Sequence, residues 1–259
     1  MTGPGPLASR FVDAGAHRLR VWSAIGPSSR PPVVLVHGIV SSRYLLPTAE
    51  WLASRRSVFA VELPGFGRSS RPPRPLGVAE LADALAAAIH VVDVSRPLLV
   101  GHSVGAQVAM EVAARHPEVA GALALVGPTG DPRVASVARL LGRWLATAVR
   151  EPLGFHAIVL REIVEIGPVR MLATARRVLA DPVAGKLHRV GLPVLVVRGA
   201  HDRVAPQAWI EELAAQLPDG RLRTLSGGAH TVVHSDPGRL GAMIDDFARC
   251  CLDAPSGNS

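Results

Sequence analysis

Long apolar runs are missing from this chain: no stretch reaches the roughly 20 residues needed to cross a bilayer as a helix. Cysteine is nearly missing too. Cys250 and Cys251 are neighbours in a C-terminal helical pattern, where adjacent side chains point apart, so free thiols are expected and nothing calls for an oxidising compartment. Lysine occurs once, at Lys186; all other basic residues are arginine. Basic residues outnumber acidic ones 28 to 21, a formal charge of +7, yet they form no dense run interleaved with stacking aromatics, which excludes a nucleic-acid-binding segment. Aromatics are only 4% of the chain, so the core must be built from Ala, Val and Leu. No His, Cys, Asp or Glu cluster has metal-ligand spacing: His188, His201 and His234 stand singly, and neither a metal nor a cofactor is expected. Met1 to Arg10 is Pro/Gly-rich and lacks the charged start and apolar centre of a signal peptide, so a cytoplasmic location is the expectation.

What is present is an apolar content of 48% in 259 residues, enough for one full core. Residues 11–12 and 17–23 read as an opening hairpin. Strands follow near 32–37, 57–61, 96–101, 119–126, 192–198 and 221–225, and helices near 44–54, 78–92, 103–115, 206–217 and 236–251. This alternation predicts an α/β fold: a mostly parallel central sheet of about eight strands flanked by helices. Residues 129–189 break the rhythm. They hold no strand-like run and divide into helices at Pro132, Pro152, Gly167-Pro168 and Pro182. The expected division is therefore a core of residues 1–128 and 190–259, with a helical cap of residues 129–189 inserted after the sixth strand. Leu140, Leu141, Trp144 and Leu145 recur at helical spacing there, as do Phe155, Ile158, Val159, Ile163 and Ile166. Such stripes pack a cap on a core or line an acyl pocket; Trp144 and Phe155 are the candidates for substrate contact. Arg139, Arg143, Arg161 and Arg170 offer either a solvated face or a partner for a substrate carboxylate.

The chemistry concentrates in Gly101-His102-Ser103-Val104-Gly105, between the apolar strand Leu98-Leu99-Val100 and a helical run from Ala106. A G-x-S-x-G turn between strand and helix lifts its serine clear of the sheet at a helix N-terminus, where unpaired N–H groups favour developing negative charge. Gly101 and Gly105 leave room for strand and helix to approach. A nucleophilic serine needs a base and an orienting acid. Asp202 lies just beyond the strand at 192–198, and His230 follows the short strand at 222–225 in a glycine-loosened loop. The buried strand before His37-Gly38-Ile39 ends in a second loop. Together the backbone N–H groups of Ile39 and Val104 form a candidate oxyanion hole, each donor able to supply roughly 3 kcal/mol or more. His37 reads as a brace for that loop.

Taken together, Leu35-Val36-His37-Gly38, Leu63-Pro64-Gly65-Phe66-Gly67-Arg68-Ser69, Gly101 to Gly105, Gly199 to Asp202, Gly228 to His230 and Asp236-Pro237 resemble the α/β-hydrolase superfamily. The similarity is greatest to its cap-bearing bacterial esterases, perhydrolases and C–C bond hydrolases, and runs from about Phe11 to Phe247. The resemblance implies a serine hydrolase of carboxylic esters or related carbonyl compounds, with Ser103, Asp202 and His230 as its triad, acting on a small apolar or mildly anionic substrate. Acyl transfer, perhydrolysis, C–C or cyclisation chemistry, or a triad-bearing small-molecule receptor are the alternatives on the same residues. There are departures. Glu62 stands where family members usually carry Asp; Thr231 follows His230, and His102 precedes Ser103, where C–C hydrolases commonly have Trp and Asn. Ser103 in place of Asp argues against epoxide hydrolases and haloalkane dehalogenases.

Overall fold

A computed structural model describes residues 6–27 and 29–253; Met1 to Gly5, half of the segment read above for a signal peptide, lie outside the described residues. Eight strands form one sheet: β1 (Ala8–Ala14), β2 (His17–Ala24), β3 (Val33–Val36), β4 (Val58–Val61), β5 (Leu98–His102), β6 (Ala122–Val126), β7 (Val194–Gly199) and β8 (Gly220–Leu225). Their spatial order is β1-β2-β4-β3-β5-β6-β7-β8. Only the β1–β2 and β2–β4 pairings are antiparallel; from β4 to β8 the strands run parallel.

The parallel strands are near-continuous apolar runs because both faces are covered. Successive residues feed opposite half-cores. Val34, Leu99, Leu123 and Val194 share one row and pack with helices α2 (Val78–Val91), α3 (Val104–Arg115) and α7 (Gln207–Gln216). Leu35, Val100, Ala124 and Leu195 form the next row and face α1 (Leu46–Ala53) and α9 (Pro237–Cys251). A one-residue slip of any strand would exchange the two sets, so the register is tightly specified.

The fold class expected from the sequence is the one found, and the strand boundaries fall within a few residues of those read from apolar runs. Between β6 and β7 the chain forms α4 (Val137–Ala148), α5 (Leu153–Ile166), α6 (Pro168–Leu179) and a 3-10 turn at Val183–Arg189, punctuated at the prolines and glycine named above. Two short elements were absent from the sequence reading: a 3-10 turn at Ser42–Leu45 and the four-residue helix α8 (Val232–Ser235). No helix among the described residues is long and apolar enough to cross a membrane.

Candidate active site

Strand β5 ends at His102 and α3 begins at Val104, so Ser103 makes the whole turn. Its backbone sits at φ +57°, ψ −117°, a conformation a residue with a β-carbon adopts only under strain. The turn closes because its flanking residues are glycines. A β-carbon on Gly101 would lie 2.3 Å from the Gly105 carbonyl oxygen, and one on Gly105 2.4 Å from that of Val36. The Ser103 N–H donates to the Val126 carbonyl at 2.9 Å, fixing the turn to the neighbouring strand.

Asp202 lies three residues beyond β7, buried. Its Oδ1 accepts from the amides of Val204 (2.8 Å) and Ala205 (3.0 Å), so it organises the turn ahead of α7 rather than capping that helix itself. Its Oδ2 receives the His230 Nδ1–H at 2.8 Å. That bond fixes the tautomer: Nδ1 carries the proton and Nε2 keeps its lone pair. Burial pushes the His230 pKa down, but the charge of Asp202, its hydrogen bond and the charge of Glu151 outweigh burial, and the net shift is upward from 6.5. Burial raises Asp202, and the charge and hydrogen bond of His230 with the Ala205 amide reverse this, leaving it below its ordinary value.

His102, beside the serine, joins a hydrogen-bonded chain that sequence reasoning missed. Burial, then the charge of His230, holds its pKa down at about 3, so the ring is neutral. Its Nε2 lies 3.0 Å from the His230 carbonyl, which can only accept; the proton is therefore on Nε2. Nδ1 then accepts from the Tyr44 hydroxyl at 2.8 Å, and the Tyr44 oxygen accepts from the Gly38 N–H at 2.6 Å. One chain thus ties the loop after β3 to the loop of His230, passing beside Ser103. Tyr44 is the only tyrosine in the sequence, which was the available signal.

The loop after β3 closes over the serine: a β-carbon on Gly38 would lie 3.1 Å from Ser103 Cβ. His37 braces this loop as expected, with Nδ1 at 2.8 Å from the Gly38 carbonyl and Nε2 accepting from Leu63 N–H at 2.9 Å. The amides of Ile39 and Val104 donate to no protein group among the described residues, and both residues line the same cavity as Ser103 and His230. Glu62 is fully buried and accepts from Ser42 Oγ and the Arg68 amide, both at 2.9 Å, so the longer carboxylate serves that turn.

The cavity wall is overwhelmingly apolar. Trp144 and Phe155 both line it, as do Leu140, Leu141, Val159 and Ile163 from the predicted stripes; Ile166 packs in the core and Leu145 faces outward instead. Helix α6 adds Met171, Leu172, Ala175 and Val178, whose helical spacing is the sequence signal for this part of the wall. None of the four arginines offered for an anionic substrate lines the cavity. Arg143 pairs with Asp131 (2.7 Å), Arg161 with Glu165 (2.6 Å), and Arg139 and Arg170 bond backbone carbonyls of Arg133 and Pro72.

Two buried carboxylates from the helical segment between β6 and β7 grip the two loops of the site in the same way. Glu162 on α5 accepts from both the amide and the hydroxyl of Ser41, next to the Ile39 loop. Glu151, between α4 and α5, accepts from the amide (2.9 Å) and the hydroxyl of Thr231, next to His230. Burial, reinforced by Glu165 and Glu62, raises the Glu162 pKa against the opposing Ser41 bonds. An acid inside the apolar stripe of Val159 and Ile163 was the sequence signal for Glu162; its partner, 121 residues away, could not be read locally.

This sheet, with its strained serine turn, belongs to a recognised class of enzymes. Residues 33–242 match the family model described as the alpha/beta hydrolase family. The chain belongs to that family, and it is a hydrolase. It is similar to a pimeloyl-[acyl-carrier protein] methyl ester esterase of Neisseria meningitidis, 29% identical over 90% of this chain and 81% of that one. An uncharacterized protein of Mycobacterium tuberculosis is 26% identical over 85% of this chain and 75% of its own. Among solved structures, Est816, described as an N-acyl homoserine lactone degrading enzyme, superposes with a TM-score of 0.81 at 21% identity, covering 92% of this chain and 100% of that one.

Proposed function

We propose that the chain is a serine hydrolase that cleaves carboxylic esters of apolar acyl groups through an acyl-enzyme. Ser103 Oγ attacks the carbonyl carbon as its proton passes to His230 Nε2. Asp202 holds the imidazole and stabilises its cationic form, and the N–H groups of Ile39 and Val104 receive the oxyanion. As the C–O bond breaks, His230 returns the proton to the leaving alkoxide. A water then gives its proton to His230 and its oxygen to the acyl carbon, releasing the acid and regenerating Ser103.

The observation that carries this reading is the strained Ser103 turn opening into the same cavity as His230, whose far nitrogen is bonded to a buried carboxylate. The apolar wall favours the apolar acyl substrate over the anionic one, because an unpaired carboxylate in such a wall would pay a heavy desolvation cost. The similarity to the Neisseria methyl ester esterase points the same way. Residues 129–189 are, in this reading, a cap domain over a core of 1–128 and 190–259, setting chain-length preference and excluding water from the acyl-enzyme. Hydrolysis of p-nitrophenyl acetate, butyrate and octanoate is the test. Turnover that rises with chain length supports it; tight binding of all three without turnover would reassign the protein as a receptor.

A further inference from the structure

The outer surface of the helical segment between β6 and β7 is apolar where a water-facing surface should not be. Eight of the eleven large apolar side chains that are exposed among the described residues lie between Leu141 and Leu172. Leu145 and Val149 continue the outward line of α4; Leu153, Leu160 and Val164 form the outward stripe of α5; Val169 opens α6. Val149 and Leu153 are 82% and 87% exposed. Scattered single apolar residues need no explanation, but a stripe repeated on neighbouring helices marks a surface that meets something.

Charge indicates what it meets. Between residues 137 and 179 the acids are Glu151 and Glu162, both buried, and Glu165, which is paired with Arg161. Arg150, Arg176 and Arg177 are exposed and make no ion pair among the described residues. The surface is thus aliphatic and cationic. A second copy would bring like charges together. A protein partner would be expected to find exposed aromatic anchors, and the exposed apolar side chains here are all Leu and Val. Aliphatic stripes mixed with arginine suit the boundary of an anionic lipid layer.

The cavity is continuous with this face. Leu141 and Leu172, 52% and 40% exposed, also line the wall beside Ser103. We propose that α4, α5 and α6 form a peripheral docking surface for anionic lipid membranes, and that apolar substrate passes from the membrane into the cavity between Leu141 and Leu172. The docking stands on the surface alone; the delivery of substrate rests on the esterase reading.

The test is flotation of the full chain with vesicles of equal parts phosphatidylglycerol and phosphatidylcholine, and with phosphatidylcholine alone. Wild type should float with the anionic vesicles and much less with the neutral ones. Replacing Leu145→Gln, Leu153→Gln, Leu160→Gln and Val164→Gln together should abolish flotation. Replacing Arg150→Gln, Arg176→Gln and Arg177→Gln should weaken it on anionic vesicles by on the order of 100-fold at low salt. Both variants should retain wild-type thermal melting and wild-type hydrolysis of a dissolved acetate ester. Wild type that stays with the unbound fraction, or an apolar variant that floats as well as wild type, would overturn the proposal. So would a wild-type dimer that the apolar variant converts to monomers without any vesicle binding, which would give the face to a second copy. Vesicle binding by a protein that hydrolyses no ester would leave the docking standing and sink the esterase reading.

Discussion

His230 is pulled in two directions by its surroundings, and the balance is readable in the pH dependence of the enzyme. Burial disfavours the cation; Asp202 and Glu151 favour it and prevail, so its pKa lies above 6.5. The neutral form is the base, and it is lost as pH falls through that raised value. The acid limb of kcat/KM for a neutral ester should therefore lie above about 6.5. His102, held neutral down to about 3, contributes no limb near neutrality. Asp202→Asn leaves burial unopposed by its strongest counterweight, so the limb should move down while the plateau falls by on the order of 10⁴-fold. A wild-type limb near pH 5, unmoved in Asp202→Asn, would show that another group is the base. Tyr44 acts at the same scale. Tyr44→Phe strands the Gly38 amide and His102 Nδ1 in a buried setting, and equilibrium urea denaturation should register a loss of about 1–3 kcal/mol.

At the scale of elements, the helical segment between β6 and β7 has two separable tasks in this account. Its apolar side chains shape the cavity. Trp144→Ala or Phe155→Ala should change the ratio of octanoate to acetate hydrolysis by about 1–3 kcal/mol, with Ser103 still open to a small phosphonate. Its carboxylates hold the site loops. Glu151 also acts on the charge of His230, whereas Glu162 has no such contribution. Glu151→Gln should therefore lower kcat and move the acid limb down; Glu162→Gln should lower kcat and leave the limb in place. Equal limbs in the two variants would reduce both residues to packing. The helices themselves were legible, because prolines and Gly167 punctuate them and their apolar residues recur at helical spacing. The clamps were not: Glu162 meets Ser41 across 121 residues and Glu151 meets Thr231 across 80, distances over which local pattern carries no information.

For the whole molecule, the fold was legible because parallel strands buried on both faces must be largely apolar: β3, β4 and β6 are so throughout, and β5 and β7 are so up to His102 and Arg198 near their carboxyl ends. Helix α8 escaped because four residues are too few for a period to appear. The closure of the chain on itself was also hidden. Arg56, fully buried after α1, donates to Asp245 on α9 at 2.6 Å and to Asp253 beyond it at 2.8 Å. Arg56→Leu leaves Asp245 buried opposite an apolar side chain, and should cost about 3 kcal/mol of global stability by denaturant unfolding. The alternation of strand and helix also predicted on which edge of the sheet the candidate site would gather: Ser103 follows β5, Ile39 follows β3, Asp202 follows β7 and His230 follows β8, all at carboxyl ends of parallel strands. The central claim is that these residues form one reactive unit with Ser103 as its nucleophile, and intact-protein mass spectrometry after exposure to a fluorophosphonate tests it most directly. The account predicts a single adduct, mapped to the peptide containing Ser103, absent in Ser103→Ala and slowed severely in His230→Ala. An adduct of the same stoichiometry in Ser103→Ala would contradict it.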